Sequence, residues 1–242
     1  MHVAFEIAKT QENKRQARPT LGFAAAEGRL ACAHVAIIPT GWGFCGVAWR
    51  DRAAGEEAAG PCIDAALTRI ITPGLTVLAL RQTLLRLSPA ADEVLGDAHG
   101  HFHPDIVPLW FGDLAGYLQG YFSNTLRHPE ELGFGEVWTT WRPRLDFSRL
   151  TAFQQAVYQV VAGIPRGECR TYGEVARAAG KAGAARAVGA ALGANPFPVL
   201  IPCHRVIGAG GQMTGFTAPG GIAAKKRMLE MEKAGERRGE RH

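Results

Sequence analysis

Cys203 and His204 are the residues of this chain best suited to chemistry. They stand in Pro198-Val199-Leu200-Ile201-Pro202-Cys203-His204-Arg205-Val206, an apolar run enclosed by prolines that delivers a thiol, an imidazole and a guanidinium in succession. Proline fixes φ and removes a donor, so this backbone resists rearrangement and would hold a reactive atom at the edge of a core. A thiolate is a strong nucleophile and an imidazole can take its proton, whereas a buried thiol without a base packs as a small inert hydrophobe. The neighbours must decide between the two.

One neighbour lies far along the chain. The spacing predicts a last helix from Ile222 to Lys233 with Met228 and Leu229 turned inward. Glu232 follows Met228 by four and Leu229 by three, so it rides the buried edge of that helix, while Glu230 points elsewhere. A carboxylate near a core needs a partner. His204 is one candidate, and an ion pair with a Lys or Arg is the other.

The elements that must position these groups are legible from Leu150 onward. Phe153, Val157, Val160 and Val161 form the stripe of a helix with one buried face, stopped by Ile164-Pro165-Arg166-Gly167. Thr171-Tyr172-Gly173-Glu174 has the form of a capping box, which starts a short helix through Ala179 that ends at Gly180. A turn over Lys181-Ala182-Gly183 leads to a second helix, Ala184 to Gly193. Two short helices joined by a Gly-containing turn suggest helix-turn-helix, although many such pairs are plain packing.

On the second helix Ala185, Val188 and Leu192 share one side, and Arg186, Gly189, Ala190 and Gly193 the other. The exposed side thus carries one long cation and little bulk, a surface that can approach a nucleic-acid backbone closely or pack tightly on another helix. Asn195-Pro196-Phe197-Pro198 then turns the chain into the cysteine stretch. Gly208, Gly210, Gly211 and Gly215 lack the strand-to-helix context of a dinucleotide site, and read as a tight loop that folds over the cysteine, Gln212 to Gly221.

The first half reads as a small α/β scaffold. Leu30–Ile38 and Trp42–Trp49 flank Pro39-Thr40-Gly41 as a hairpin, and residues 51–62 read as a loop. Leu75–Leu80 predicts a third strand, with Arg81–Leu87 helical before Ser88-Pro89. Pro108 to Phe122 predicts a helix with one apolar side, and Glu130–Pro143 an irregular connection. His99, His101 and His103, with Cys32, His34, Cys45 and Cys62, are zinc-ligand types, but no recognised spacing links them and no metal is expected.

Bulk properties narrow the class. The chain has 242 residues, 47% of them hydrophobic and 20% charged, an ordinary globular balance. No run is long enough for a membrane span, and residues 1–18 lack the apolar segment of a secretion signal. Five cysteines without a C-x-x-C pair argue against a disulfide framework and fit a reducing, cytoplasmic or nucleoid-associated setting. Residues 1–147 hold 13 Lys+Arg against 16 Asp+Glu, whereas residues 148–242 hold 14 against 6. The second half wants an anionic partner, nucleic acid first among them.

Pro202-Cys203-His204-Arg205-Val206, with Arg186-Ala187-Val188-Gly189 and Asn195-Pro196 before it and Gly215-Phe216 and the last helix after it, resembles the O6-alkylguanine-DNA alkyltransferase family, the methylated-DNA:protein-cysteine methyltransferases. The resemblance covers roughly residues 147–235. It implies an α/β (α+β) protein with an N-terminal ribonuclease-H-like domain and a C-terminal, mainly helical domain with a helix-turn-helix. The expected division is a frayed tail over 1–19, a scaffold domain over 20–147, a DNA-binding alkyltransferase domain over 148–235 and a polar tail over 236–242.

The implied activity is irreversible, cofactor-free transfer of a methyl or other alkyl group from guanine O6 in double-stranded DNA to Cys203, after nucleotide flipping, by a monomer. By resemblance, Glu232 orients His204, which deprotonates Cys203 through water; Tyr172 protonates the leaving guanine and Asn195 orders the turn. Arg186 fills the vacated place in the duplex, and Tyr172, Ala187, Gly189, Ala190 and Arg205 complete a DNA surface that enters the minor groove. Pro202, Val206, Phe216 and Thr217 shape the substrate pocket.

The chain departs from the family in carrying Phe216 where many relatives have tyrosine, and two extra residues, Ala218-Pro219, before Gly220-Gly221. The zinc ligands of some relatives have no counterpart. Two other readings compete. A non-catalytic lesion-binding or regulatory protein would have the same helices, but its relatives replace the cysteine that stands here at position 203. A cysteine hydrolase would place its cysteine and histidine far apart in sequence.

Overall fold

The computed structural model describes residues 33–52, 65–88, 91, 94–95, 107–108, 110–125 and 134–239. The tail expected over residues 1–19, Cys32, Cys62 and the run containing His99, His101 and His103 lie outside the described residues.

The hairpin forms around the Pro/Gly punctuation. Strand β1 (Ala33–Thr40) pairs antiparallel with β2 (Gly43–Asp51), Thr40 standing opposite Gly43. Strand β3 (Ala65–Ile71) pairs antiparallel with β2, and β4 (Val94–Leu95) runs parallel to β1, so the sheet order is β3-β2-β1-β4. The two-residue period of a strand turns Ala36 and Ile38 to one face and Val35 and Ile37 to the other.

Each face is covered by a helix. Helix α1 (Val77–Leu87) lays Leu80 and Leu84 on the Val35/Ile37 face, and Gly46 permits the approach, because a Cβ there would stand 2.8 Å from Leu80 Cδ1. Helix α2 (Phe111–Ser123) buries Phe111, Leu114, Leu118, Tyr121 and Phe122 on the opposite face.

Two expectations are corrected here. Leu75–Leu80 is no strand: Thr76 caps the helix by accepting from Ala79 N at 3.3 Å, and Leu80 and Leu84 supply an i, i+4 stripe. A short apolar run carries no period by which to tell the two apart. The third strand is β3, whose Ala65, Ala66, Leu67, Ile70 and Ile71 are buried on both faces and so show no alternation. Residues 130–143 include helix α3 (Phe134–Trp141) and a 3-10 turn (Arg142–Arg144) that admits Pro143 at its start; Trp141 packs edge-on against Trp110 at 6.3 Å.

The second half follows its caps. Helix α4 (Ala152–Ala162) starts at a capping box of Thr151 and Gln154, and α5 (Tyr172–Ala178) at the predicted box of Thr171 and Glu174. Helix α6 (Ala185–Gly193) follows the glycine turn. Strands β5 (Arg170–Thr171) and β6 (Val206–Ile207) pair in parallel, which sets Tyr172 beside the segment that leaves Cys203. Helix α7 (Gly221–Gly239) runs past its predicted end at Lys233 and into the segment read as a polar tail from residue 236.

The hydrophobic core is continuous across Phe147, joining the Ile38 face of the sheet to Val157, Val161, Val188, Ile201 and Met228. The outer edge of β3 is also bonded to segments on both sides of Phe147. Asp146 N donates to Leu67 O and Ile70 N to Pro196 O, each at 2.8 Å. The turn before the cysteine is therefore tied to the sheet.

Candidate active site

The backbone before Cys203 is held in a conformation that β-branched residues avoid: Val199 has φ +77. Such a residue costs about 1–3 kcal/mol and persists only where its surroundings over-determine it. Here Ile201 N donates to Phe197 O at 2.8 Å, Asn195 Nδ2 donates to Ile201 O at 2.9 Å, and Asn195 Oδ1 accepts from Phe197 N at 3.0 Å. Asn195 thus clamps both ends of the turn that presents the 3-10 segment Cys203–Arg205.

Cys203 is 8% exposed and lies on the wall of a pocket of about 580 Å3. Burial pushes its thiol upward, and the Asn195 amide and the Lys225 charge pull the other way without overcoming it. The sulfur is therefore protonated near neutrality, and nucleophilic attack requires a base.

The next residue, His204, is an imidazole that is fully buried. Its Nε2 lies 2.9 Å from Glu232 Oε1 and 3.1 Å from the Tyr121 hydroxyl, which itself donates to Glu232 Oε1 at 2.7 Å. Arg205 closes the network: Nε donates to Glu232 Oε2 at 3.0 Å, Nη2 to Oε1 at 2.7 Å and Nη1 to Ile164 O at 2.7 Å. Both sequence alternatives for Glu232 hold together, since it meets a histidine and an arginine.

The charges sort as follows. Burial opposes ionisation of Glu232, but His204 and Arg205 hold its carboxyl far below the ordinary carboxylate range. Burial holds His204 below 6.5 against the pull of Glu232. The Glu232 charge is matched by Arg205, and a neutral imidazole donates from Nε2 to the carboxylate. Nδ1 is then the basic nitrogen, and it is buried with no hydrogen-bond partner among the described residues.

Tyr172, Arg186, Gly189, Phe216 and Thr217 line the pocket with Cys203. A Cβ at Gly189 would lie 3.8 Å from the Tyr172 ring, so the tyrosine passes close to this face of the helix. Val188, Ala191 and Leu192 of α6 are buried, while Arg186, Ala187 and Ala190 are exposed. Arg186 has no hydrogen bond or ion pair among the described residues. The Tyr172 hydroxyl donates to Thr214 O at 3.2 Å, and Thr217 Oγ1 donates to Gly193 O at 2.8 Å, which fastens the 212–221 loop to α6.

Two predicted roles do not fit. Arg205 is 1% exposed and bound to Glu232 and Ile164, so it faces the core and not a DNA surface. Pro202 and Val206 are buried and are not among the residues that line the pocket. Two residues were missed. Tyr121 sits on the buried stripe of α2, where a tyrosine hydroxyl needs a partner. Lys225 precedes Met228, Leu229 and Glu232 by three, four and seven, the same buried stripe; its Nζ donates to Val206 O at 2.6 Å and Thr214 O at 3.0 Å, joining the loop to β6. Among the described residues no group of three or more His, Cys, Asp or Glu side chains converges as a metal site.

Residues 152–234 match the family model "6-O-methylguanine DNA methyltransferase, DNA binding domain". The chain is 43% identical over 134 residues to the methylated-DNA--protein-cysteine methyltransferase of Mycobacterium bovis, covering 55% of this chain and 71% of that protein. It is 53% identical over 114 residues to the enzyme of the same name from Mycobacterium leprae, covering 47% and 67%. Among solved structures it is similar to Mycobacterium tuberculosis OGT in complex with DNA, with a TM-score of 0.53 and 31% identity over 84% of this chain and 94% of that one. With the cysteine, the histidine network and the pocket in place, the chain belongs to the methylated-DNA:protein-cysteine methyltransferase family.

Proposed function

We propose that this protein repairs DNA by moving an alkyl group from guanine O6 to the Cys203 sulfur, once per molecule. The observation that carries the assignment to Cys203 is its position on the pocket wall, next in sequence to a buried imidazole whose Nδ1 has no hydrogen-bond partner among the described residues. His204 Nδ1 takes the thiol proton through a water, because adjacent side chains seldom bond directly. The sulfur lone pair forms the S–C bond, the C–O6 bond breaks, and its electron pair stays on the guanine, which receives a proton from Tyr172. No cofactor takes part in this balance.

Helices α5 and α6 form a helix-turn-helix that enters the minor groove. The exposed face of Arg186, Ala187 and Ala190, bare of bulk, supports this reading. The target nucleotide leaves the stack, Arg186 takes its place, and Tyr172 and Gly189 guide the base to the pocket. Residues 148–235 are the DNA-binding alkyltransferase domain; residues 20–147 are a scaffold of ribonuclease-H-like kind that supplies Tyr121 and the β3 edge. The protein works as a monomer in the cytoplasm or on the nucleoid; no helix among the described residues is long and apolar enough to cross a membrane.

The Cys203→Ser variant tests the assignment against simple lesion binding. It is expected to retain affinity for a duplex containing O6-methylguanine while leaving the methyl group on the DNA. Removal of the methyl group by this variant would show that Cys203 is not the acceptor.

A further inference from the structure

A second pocket of about 260 Å3 reaches the same sulfur from the side of the sheet. Cys203, Leu192, Gly193, Phe216 and Thr217 line both pockets, so the sulfur lies where they meet. If the flipped base occupies the first, its O6 substituent points across the sulfur toward the second. The far wall comes from the other half of the chain, from Arg69 to Thr72 at the end of β3. Ala218-Pro219, the pair that lengthens the loop, form its rim, and Pro219 is packed so closely on Gly74 that a Cβ there would stand 2.9 Å from Pro219 Cβ.

Arg69 is the informative group. It is half-buried, and it makes no hydrogen bond or ion pair among the described residues. The buried Tyr158 hydroxyl, 2.8 Å from Ala191 O, feels both the Cys203 sulfur and the Arg69 charge, which sets the cation within electrostatic reach of the reaction centre. The C-terminus of α6 also faces this pocket at Gly193 and Ala194 with about half a negative charge. An anion here needs a full positive charge to offset that end. Thr72, 4% exposed, adds a hydroxyl to the same wall.

We propose that this second pocket receives O6 substituents longer than methyl that end in a carboxylate, with Arg69 as the counter-ion. The proposal rests on Cys203 as the alkyl acceptor. Attack by a thiolate on a carbon next to a carboxylate brings two negative charges together, and Arg69 lowers that repulsion. For a carboxymethyl group the S–C bond forms, the C–O6 bond breaks, and the products are S-carboxymethylcysteine and guanine, protonated as in methyl transfer.

The test uses duplexes with a single O6-methyl-, O6-carboxymethyl- or O6-carbamoylmethylguanine, the last two alike in size and different in charge. Second-order transfer rates are read from the intact mass of the full-length protein. The ratio of carboxymethyl to carbamoylmethyl rates divides out effects on folding and on alkyl transfer in general. It is expected to fall roughly tenfold in Arg69→Gln, as removal of one partly screened charge predicts, and to be largely restored in Arg69→Lys. An unchanged ratio in Arg69→Gln overturns the proposal, as does a wild-type protein that accepts methyl but neither larger group. Absence of transfer from all three duplexes would instead remove the assignment of Cys203.

Discussion

At the scale of single residues, the site depends on one carboxylate. Glu232 is buried and answers Arg205, His204 and Tyr121 together, so Glu232→Gln removes the charged half of a buried, hydrogen-bonded ion pair. The expected cost is about 3–5 kcal/mol in urea unfolding at neutral pH. Because its folded-state value lies below the ordinary 4.5, the contribution of Glu232 is complete above that pH and is lost as pH falls through the folded value. The gap between wild type and Glu232→Gln must therefore narrow in acid; a gap that widens would reverse the sign. His204 has the same dependence in kinetics. In the proposed transfer Nδ1 takes the thiol proton only while the imidazole is neutral, so the rate should decline in acid with an apparent value below 6.5. A midpoint above 6.5 would mean that burial does not govern the imidazole.

Cys203, His204 and Glu232 were legible in the sequence because each is an improbable residue in its place: a thiol and imidazole between prolines, and a carboxylate on an apolar stripe. Tyr121 and Lys225 followed the same logic and were overlooked, since a tyrosine or lysine stem passes for core in a pattern of apolar spacing. Arg205 was misplaced because sequence adjacency to the site does not say which way a side chain turns.

At the scale of elements, the two short helices were legible through their punctuation. Thr171 and Glu174 form the capping box, and Gly180 and Gly183 adopt φ of +76 and +83 in the turn. Arg81–Leu87 was legible as helix, but strand β3 and the start of α1 were not, because a strand buried on both faces and the first turn of a helix present the same short apolar run. The exposed face of α6 carries the prediction that belongs here. Arg186→Ala should slow repair in duplex DNA by at least roughly tenfold, as unstacking a base costs a few kcal/mol, while reaction with a free O6-alkylguanine base changes much less. Equal losses on both substrates would assign Arg186 to the pocket and not to the duplex.

At the scale of the whole molecule, the two halves are neither separate in packing nor alike in charge. The core runs across Phe147, and the β3 edge bonds the turn at Pro196 that precedes the cysteine. The acidic first half braces the site from behind, and the basic second half, 14 Lys+Arg against 6 Asp+Glu, meets the DNA. All of this serves one irreversible event at one sulfur. The direct measurement is intact-mass and peptide analysis of the full chain after reaction with a duplex containing O6-methylguanine. One methyl group on the peptide that holds Cys203, in a yield that stops at one per protein, is the predicted result; an unmodified Cys203 alongside demethylated DNA, or demethylation beyond one per protein, would contradict it.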